Sequence, residues 1–249
     1  MAFDVHKVVD ELQNRMNSFK LARLLAAIFV VISVSTFSLG AFAAPNVTEI
    51  ANKVTANMKK MDIMQADLQI EMFDNKGRVQ NMTARVTADQ KRKTTRLEIL
   101  KHPVLEGQIV VLDLSNDQAI VYMPVTSAAV RGTIETVGSQ VGGLDLKSLD
   151  IEGMLSLDPA EVLSMKYLRT EAYKRIDHYV IEVKTKISGS GTQIVWVDSE
   201  NYLIKKVEVF DDSGKNIANV VIDNFTGNFS YDTAKLKELP KGTKITDLR

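Results

Sequence analysis

Beyond residue 43 the chain carries two histidines, His102 and His178, and it has no cysteine at all. A hydrolase or a metalloenzyme needs a nucleophile beside its base, or several ligands at metal spacing. Neither histidine has an acidic or histidine partner placed that way. Without cysteine there is no disulfide, no thiolate chemistry, no Cys-ligated metal and no thiol for lipid attachment. Gly189-Ser190-Gly191 lacks the Lys and the following helix of a phosphate loop and reads as a hairpin turn. Asp211-Asp212-Ser213-Gly214 gathers carboxylates as a calcium loop does, but it is short and has no distal Glu, so it too reads as a turn. His178 alternates with Tyr179 and Ile181, which places it on the solvent side of a strand. The expectation is a protein that is not an enzyme and takes no cofactor or metal.

The remaining candidate chemistry is apolar binding. In 63–73 the even positions Met64, Ala66, Leu68, Ile70 and Met72 are apolar while Gln65, Asp67, Gln69 and Glu71 are polar. That period of two makes a half-buried strand. Asp74-Asn75-Lys76-Gly77 closes a hairpin, and Met82, Ala84, Val86 and Ala88 repeat the alternation on the return. Before the hairpin, Val47, Ile50, Ala51, Val54, Met58 and Met61 fall on one face of a helix over 47–61, with Thr48 or Asn46 as its cap. Further strands are expected at Thr94–Leu100, Gln108–Asp113, Gln118–Met123, Ala128–Thr133, Met165–Tyr173, Asp177–Lys186, Gln193–Asp198, Tyr202–Phe210 and Asn216–Asn224, then an extended tail. A flexible stretch at 138–143 leads to short helices over Leu144–Leu155 and from Asp158-Pro159.

The fold class that results is mainly β with a few helices: about ten or eleven antiparallel strands, more than a small flat sheet carries without curling. One apolar face per strand and few helices to cover it suggest a curved sheet with an apolar concavity. Its methionines would give an adaptable lining for acyl chains. An ordinary core between sheet and helices satisfies the same pattern, and both readings stand at this level.

An uncharged run from Leu24 to Leu39 follows Lys20 and Arg23 and closes on Ala41-Phe42-Ala43, the small-x-small pattern of a secretory signal cleaved before Ala44. An uncleaved anchor is the rival reading. The acidic residues Asp4, Asp10 and Glu11 suit a signal poorly, whereas Met16 opens a conventional basic start, so translation is expected to begin there. Export would leave residues 44–249 as one domain, with 27 basic against 28 acidic side chains. That balance excludes nucleic acid as the main partner.

Several segments, in order, resemble the outer-membrane lipoprotein-sorting proteins, the LolA-like periplasmic carriers. They are Arg96-Leu97-Glu98 with Pro103, Ile109–Asp113 followed by Ala119–Pro124 ending Tyr-x-Pro, and Ile194-Val195-Trp196-Val197-Asp198. Leu203–Val207 with the turn Asp212–Lys215, and the tail Leu239–Ile245, complete the set. The resemblance implies an open, curved antiparallel half-barrel with helices as a lid over an apolar cavity. It implies a soluble, monomeric periplasmic carrier of the acyl chains of lipoproteins or phospholipids, served by an inner-membrane ABC-type release complex and an outer-membrane acceptor. The alternative is an envelope sensor of the same shape. The residues expected to line the cavity are Leu68, Ile70, Met72, Met82, Val86, Leu97, Ile99, Ile120, Tyr122 and Trp196. One departure is Asp89-Gln90-Lys91-Arg92-Lys93, which stands where the family has an Arg-Pro pair that holds the lid; Lys91 or Arg92 is the candidate substitute.

Overall fold

The computed structural model describes residues 45–73, 77–140, 157, 162–185 and 191–248. The signal segment 1–43, the helices expected over Leu144–Leu155 and from Asp158, Asp74 to Lys76 of the first hairpin loop, and Gly189-Ser190 lie outside the described residues.

Helix α1, Val47–Met58, starts where the Asn46 side chain accepts from the Thr48 and Glu49 backbone N–H groups at 3.0 and 3.4 Å, covering two of the donors that a helix start leaves open. It stops three residues short of the expected end, Lys59 being its C-cap. Strands β1 (Ile63–Phe73) and β2 (Val79–Asp89) form the long hairpin, paired residue for residue from Ile63 with Asp89 to Phe73 with Val79. Strands β3 (Thr94–Lys101), β4 (Ile109–Asp113), β5 (Gln118–Met123) and β6 (Ala128–Thr133) continue the meander. A second helix, α2 (Ile134–Gln140), follows β6 directly, and its last three residues fall in the stretch 138–143 expected to be flexible. Its entry is fixed by Thr133, whose hydroxyl accepts from the Thr136 backbone N–H at 3.1 Å.

The second meander is β7 (Val162–Tyr173), β8 (Ile176–Thr185), β9 (Thr192–Asp198), β10 (Ile204–Phe210) and β11 (Asn216–Gly227). Pairing of β1 with β11 joins the two meanders into one sheet, ordered β12-β6-β5-β4-β3-β2-β1-β11-β10-β9-β8-β7. The twelfth strand, β12 (Lys244–Asp247), pairs with β6 in parallel, the exception to the expected antiparallel order. The reason is geometric. The chain leaves β11 at one end of the sheet, crosses behind β3 and β4 through the 3-10 turn Thr233–Lys237, and reaches β6 at the opposite end running in its direction. The first end carries the turns 59–62, 90–93 and 114–117, and the opposite end carries 102–108, 124–127 and 211–215.

Both faces of the sheet are covered in its first half. The face that carries α1, here called inner, holds the main apolar cluster, with Ile50, Ala51, Val54 and Met58 of the helix packed on strand residues. On the outer face Ile109, Val111, Tyr122 and Ala129 form a second cluster against Leu239 of the crossing tail. This explains why Ile109, Val110, Val111 and Leu112 are all buried: β4 is sandwiched, so its apolar run is continuous and not alternating.

Candidate functional site

The inner face is built by the period-two geometry of the strands. In β1 and β2 the cross-strand pairs Leu68 with Ala84, Ile70 with Met82 and Ala66 with Val86 all point into the main cluster. Leu97 and Ile99 of β3 continue it, since Leu97 pairs with Val86 and Ile99 with Ala84. On the other wing Ala218, Val220 and Ile222 of β11 sit opposite Met72, Ile70 and Leu68. Val207, Val209, Val195, Val197, Ile181 and Val183 extend the same surface toward β8.

Seven of the ten methionines lie in this cluster or packed against it: Met58, Met61, Met64, Met72, Met82, Met123 and Met165. A methionine has three rotatable bonds and a polarizable sulfur, so such a surface re-forms around occupants of different shape. The segregation of charge is equally sharp. Among the described residues the buried charged side chains are Asp89, Arg96, Asp113 and Asp198. Register places all four on the outer side, because Ala88, Leu97, Leu112 and Val197 beside them point inward.

Of the ten expected lining residues, Leu68, Ile70, Met72, Met82, Val86, Leu97 and Ile99 share the inner face. Ile120, Tyr122 and Trp196 do not, which corrects the inward assignment for those three. Ile120 and Tyr122 belong to the outer cluster under the tail, because Ala119 and Val121 take the inward positions opposite Leu112 and Val110. Trp196 is buried on the outer side: Lys206 lies 4.3 Å from its ring centroid, and its indole N–H donates to Glu171 at 2.5 Å. That bond, with Arg169 beside it, holds the Glu171 carboxyl below the usual carboxylate range.

His178 is corrected as well. It is 2% exposed, with Nδ1 2.8 Å from the Ile176 carbonyl and its ring edge-on to Tyr173, so a strand position that alternation marks as solvent-facing is roofed by an aromatic neighbour. His102 is buried too, its Nδ1 accepting from the Val104 and Leu105 backbone N–H groups at 3.1 Å. Burial pushes its imidazole pKa down. Asp211 folds the 211–214 turn on itself, accepting from the Ser213 and Lys215 backbone N–H groups, while Gly214 supplies φ +80°. Among the described residues no group of His, Asp or Glu side chains is placed to hold a metal ion, and no helix is long and apolar enough to cross a membrane.

The covers of the two faces differ in kind. Three directed contacts tie α1 down: Lys53 Nζ donates to the Tyr202 hydroxyl at 3.2 Å, Asn57 to the Asn201 carbonyl at 2.7 Å, and Thr55 to the Leu157 carbonyl at 2.9 Å. Glu49 and Tyr202 hold the Lys53 ammonium well above its ordinary pKa. The tail is tied by Arg96 to the carbonyls of Leu236 (3.2 Å) and Glu238 (2.5 Å), by Lys237 to Asp113 (2.6 Å), and by a bidentate Arg131–Asp247 pair at 2.6 and 3.0 Å. Among the described residues no hydrogen bond or ion pair joins Lys91 or Arg92 to α1. Lys91 pairs with Asp62 at 2.5 Å, and Arg92 bridges Asp89 at 2.8 Å to the Thr233 hydroxyl of the tail at 2.5 Å.

Residues 92–239 match a family model described as an uncharacterized protein. No curated protein matches the chain. Among solved structures, an uncharacterized conserved protein from Thermus thermophilus superimposes with TM-score 0.56 at 17% identity, covering 81% of this chain and 98% of that one. A LolA superfamily protein from Nitrosomonas europaea is 15% identical with TM-score 0.38, covering 76% and 96%. Lipoprotein LppX from Mycobacterium tuberculosis is 10% identical with TM-score 0.45, covering 75% and 100%. The chain belongs to the family whose model it matches over residues 92–239, described as an uncharacterized protein, and its fold is a single open curved sheet of twelve strands with few helices.

Proposed function

We propose that this protein is a non-enzymatic carrier that holds the acyl chains of lipoproteins or phospholipids against the inner face of its sheet and moves them through the periplasm. The observation that carries the reading is the methionine-rich inner face, from which every buried charge of the described residues is excluded. Each methylene withdrawn from water is worth about 0.8 kcal/mol, so an exposed acyl chain cannot cross an aqueous compartment without an equivalent apolar surface. Leu68, Ile70, Met72, Met82, Val86, Leu97 and Ile99 are the side chains proposed to touch the cargo. Cleavage after Ala43 leaves residues 44–249 as one lipid-binding domain without an anchoring cysteine, free to diffuse. An inner-membrane ABC-type complex that loads it and an outer-membrane acceptor are the partners this cycle requires.

The test is native mass spectrometry with lipid extraction on protein purified from its own envelope. Acyl ligand should co-purify in near-stoichiometric amount and exchange on incubation with vesicles. A preparation that is repeatedly empty and solubilises no acyl ligand refutes the proposal.

A further inference from the structure

Large apolar side chains left exposed are normal when scattered and informative when gathered. Here they gather. Val125 is 81% exposed, Val79 50%, Ile245 46%, Val104 43% and Leu100 39%. All five lie toward the opposite end of the sheet from the 59–62 and 90–93 turns: Val79 begins β2, Leu100 and Val104 lead out of β3, Val125 follows β5, and Ile245 opens β12. The first end has only Ile176 of this kind among the described residues.

The segments that carry Val104, Val125 and Ile245 touch and are hydrogen-bonded in place. A Cβ on Gly107 would stand 3.5 Å from the Pro124 side chain, so the 102–108 and 124–127 turns abut. The Lys244 backbone N–H donates to the Ser127 carbonyl at 3.2 Å, joining β12 to the same patch. His102 fixes Val104 and Leu105 from below by accepting from both their N–H groups. Pro124 and the left-handed Ser127, φ 50°, fix Val125. The side chains are therefore held out toward solvent by their own turns. The exposed charged side chains within 100–108, 124–128 and 241–245 are Lys101, Lys241 and Lys244 against Glu106.

We propose that the patch formed by 100–108, 124–128 and 241–245 is a docking surface for an anionic lipid bilayer, with Val104 and Val125 dipping into the interface and the three lysines meeting headgroup phosphates. Aliphatic tips ringed by cations match the apolar and anionic layers of a membrane surface. A second copy of the chain would bring the same lysines against themselves, which disfavours self-association through this patch. The proposal goes beyond the carrier reading, since it requires bilayer contact whether or not cargo is bound.

The experiment is co-flotation of the purified protein with vesicles of phosphatidylglycerol and phosphatidylethanolamine, or of phosphatidylcholine alone, with lipid content measured separately by extraction. Binding is expected on the anionic vesicles, several-fold weaker on the neutral ones and weakened by salt. Val104→Asp with Val125→Asp should lower anionic-vesicle binding about tenfold or more at unchanged thermal stability, and Val125→Asp alone should lower it by a smaller factor. Lys59→Glu with Lys60→Glu, at the other end, should leave it unchanged. Absent binding, equal binding to both vesicle types, or wild-type binding by the Asp variants overturns the proposal. So does a stable dimer that the Asp variants dissolve. Acyl content found by extraction is unaffected by any of these outcomes, so the carrier reading fails or stands separately.

Discussion

Removal of the Arg96 side chain tests the claim that the tail is a tied cover. Arg96 is 10% exposed at its side chain, donates to the carbonyls of Leu236 and Glu238, and pairs with Glu98. Glu98 is 37% exposed at its side chain, so that ion pair contributes little. The carbonyl bonds count for more, because a hydrogen bond to a charged group is worth about 1.5–3 kcal/mol and a buried acceptor left alone costs about 1–3 kcal/mol. Leu236 is fully buried while Glu238 is exposed, so one carbonyl is stranded and the other rehydrates. Arg96→Ala should therefore destabilise the protein by about 2–4 kcal/mol in urea unfolding. Much of the loss should appear as local opening. Hydrogen exchange at the β12 amides should quicken before that of β1 or β2, because the tail can detach without unfolding the sheet. Arg96→Lys, which keeps the charge but loses the fork, should lose about half as much. A change below about 1 kcal/mol together with wild-type protection at 244–248 would refute the tie. Acyl content should not respond, because Arg96 faces away from the inner surface.

Ala84 lies fully buried opposite Leu68 and Ile99 on the inner face, so Ala84→Phe should fill acyl space and at least halve the co-purified lipid. A wild-type load at wild-type stability would count against acyl chains lying there. Burial lowers the His102 pKa below the ordinary 6.5. Its stabilising contribution is thus full above about pH 6.5 and declines as pH falls toward the folded pKa, because the unfolded chain takes up the proton first. His102→Gln should flatten this first slope in pH-dependent melting. Burial pushes the Asp113 carboxyl up, but Lys237 and Asn116 outweigh it and leave the pKa low; Arg85 similarly lowers Asp67. A second loss of stability should begin below about pH 4, with the β12 amides exposed earlier in Asp113→Asn than in wild type. Gly191→Ala should destabilise by more than about 2 kcal/mol, since φ is +43° and the new Cβ would lie 2.3 Å from the Phe210 carbonyl oxygen; a neutral unfolding midpoint would contradict that close approach.

Alternation made the hairpin of β1 and β2 readable residue by residue, because one side of it is polar and the phase is unambiguous. It failed at β5 and β9, where both sides of the strand are apolar or covered. Ala119-Ile120-Val121-Tyr122 offers two apolar phases, and only pairing with β4 decides that Ala119 and Val121 point inward. The sandwiched run Ile109–Leu112 was the available signal of a second cover, since an unbroken apolar strand is buried on both sides. What covers it, Leu239, comes from the far end of the sequence and leaves no local mark. Trp196 escapes alternation for the same reason: Ile194-Val195-Trp196-Val197 is apolar in both phases, and Lys206 on β10 with Glu171 on β7 makes an outer position dry enough for the ring. Helix α2 was missed because Gly138 lies inside it, and the Thr133 cap that starts it resembles a strand residue in sequence.

The two covers also determine which face can exchange cargo. Detaching the tail breaks charged, directional bonds from Arg96, Lys237 and Arg131 to specific acceptors, none of which an acyl chain can replace. Detaching α1 mainly exposes Ile50, Ala51, Val54 and Met58 and the methionines beneath them, and that contact is non-directional. An acyl chain sliding between helix and sheet restores apolar contact on both sides, so displacement of α1 by lipid is nearly balanced where displacement of the tail is not. Two of the three polar contacts of α1, to Tyr202 and Asn201, are exposed, and the third, Thr55 to Leu157, is buried but neutral, so all three break without stranding a charge in the interior. Strengthening that edge should therefore slow lipid exchange without altering the amount bound at equilibrium in the closed form. A cysteine pair joining α1 to the 199–203 turn, locked by oxidation and released by reductant, should trap labelled lipid already inside and exclude lipid added later. Exchange at the same rate in both redox states would show that cargo does not pass beneath α1.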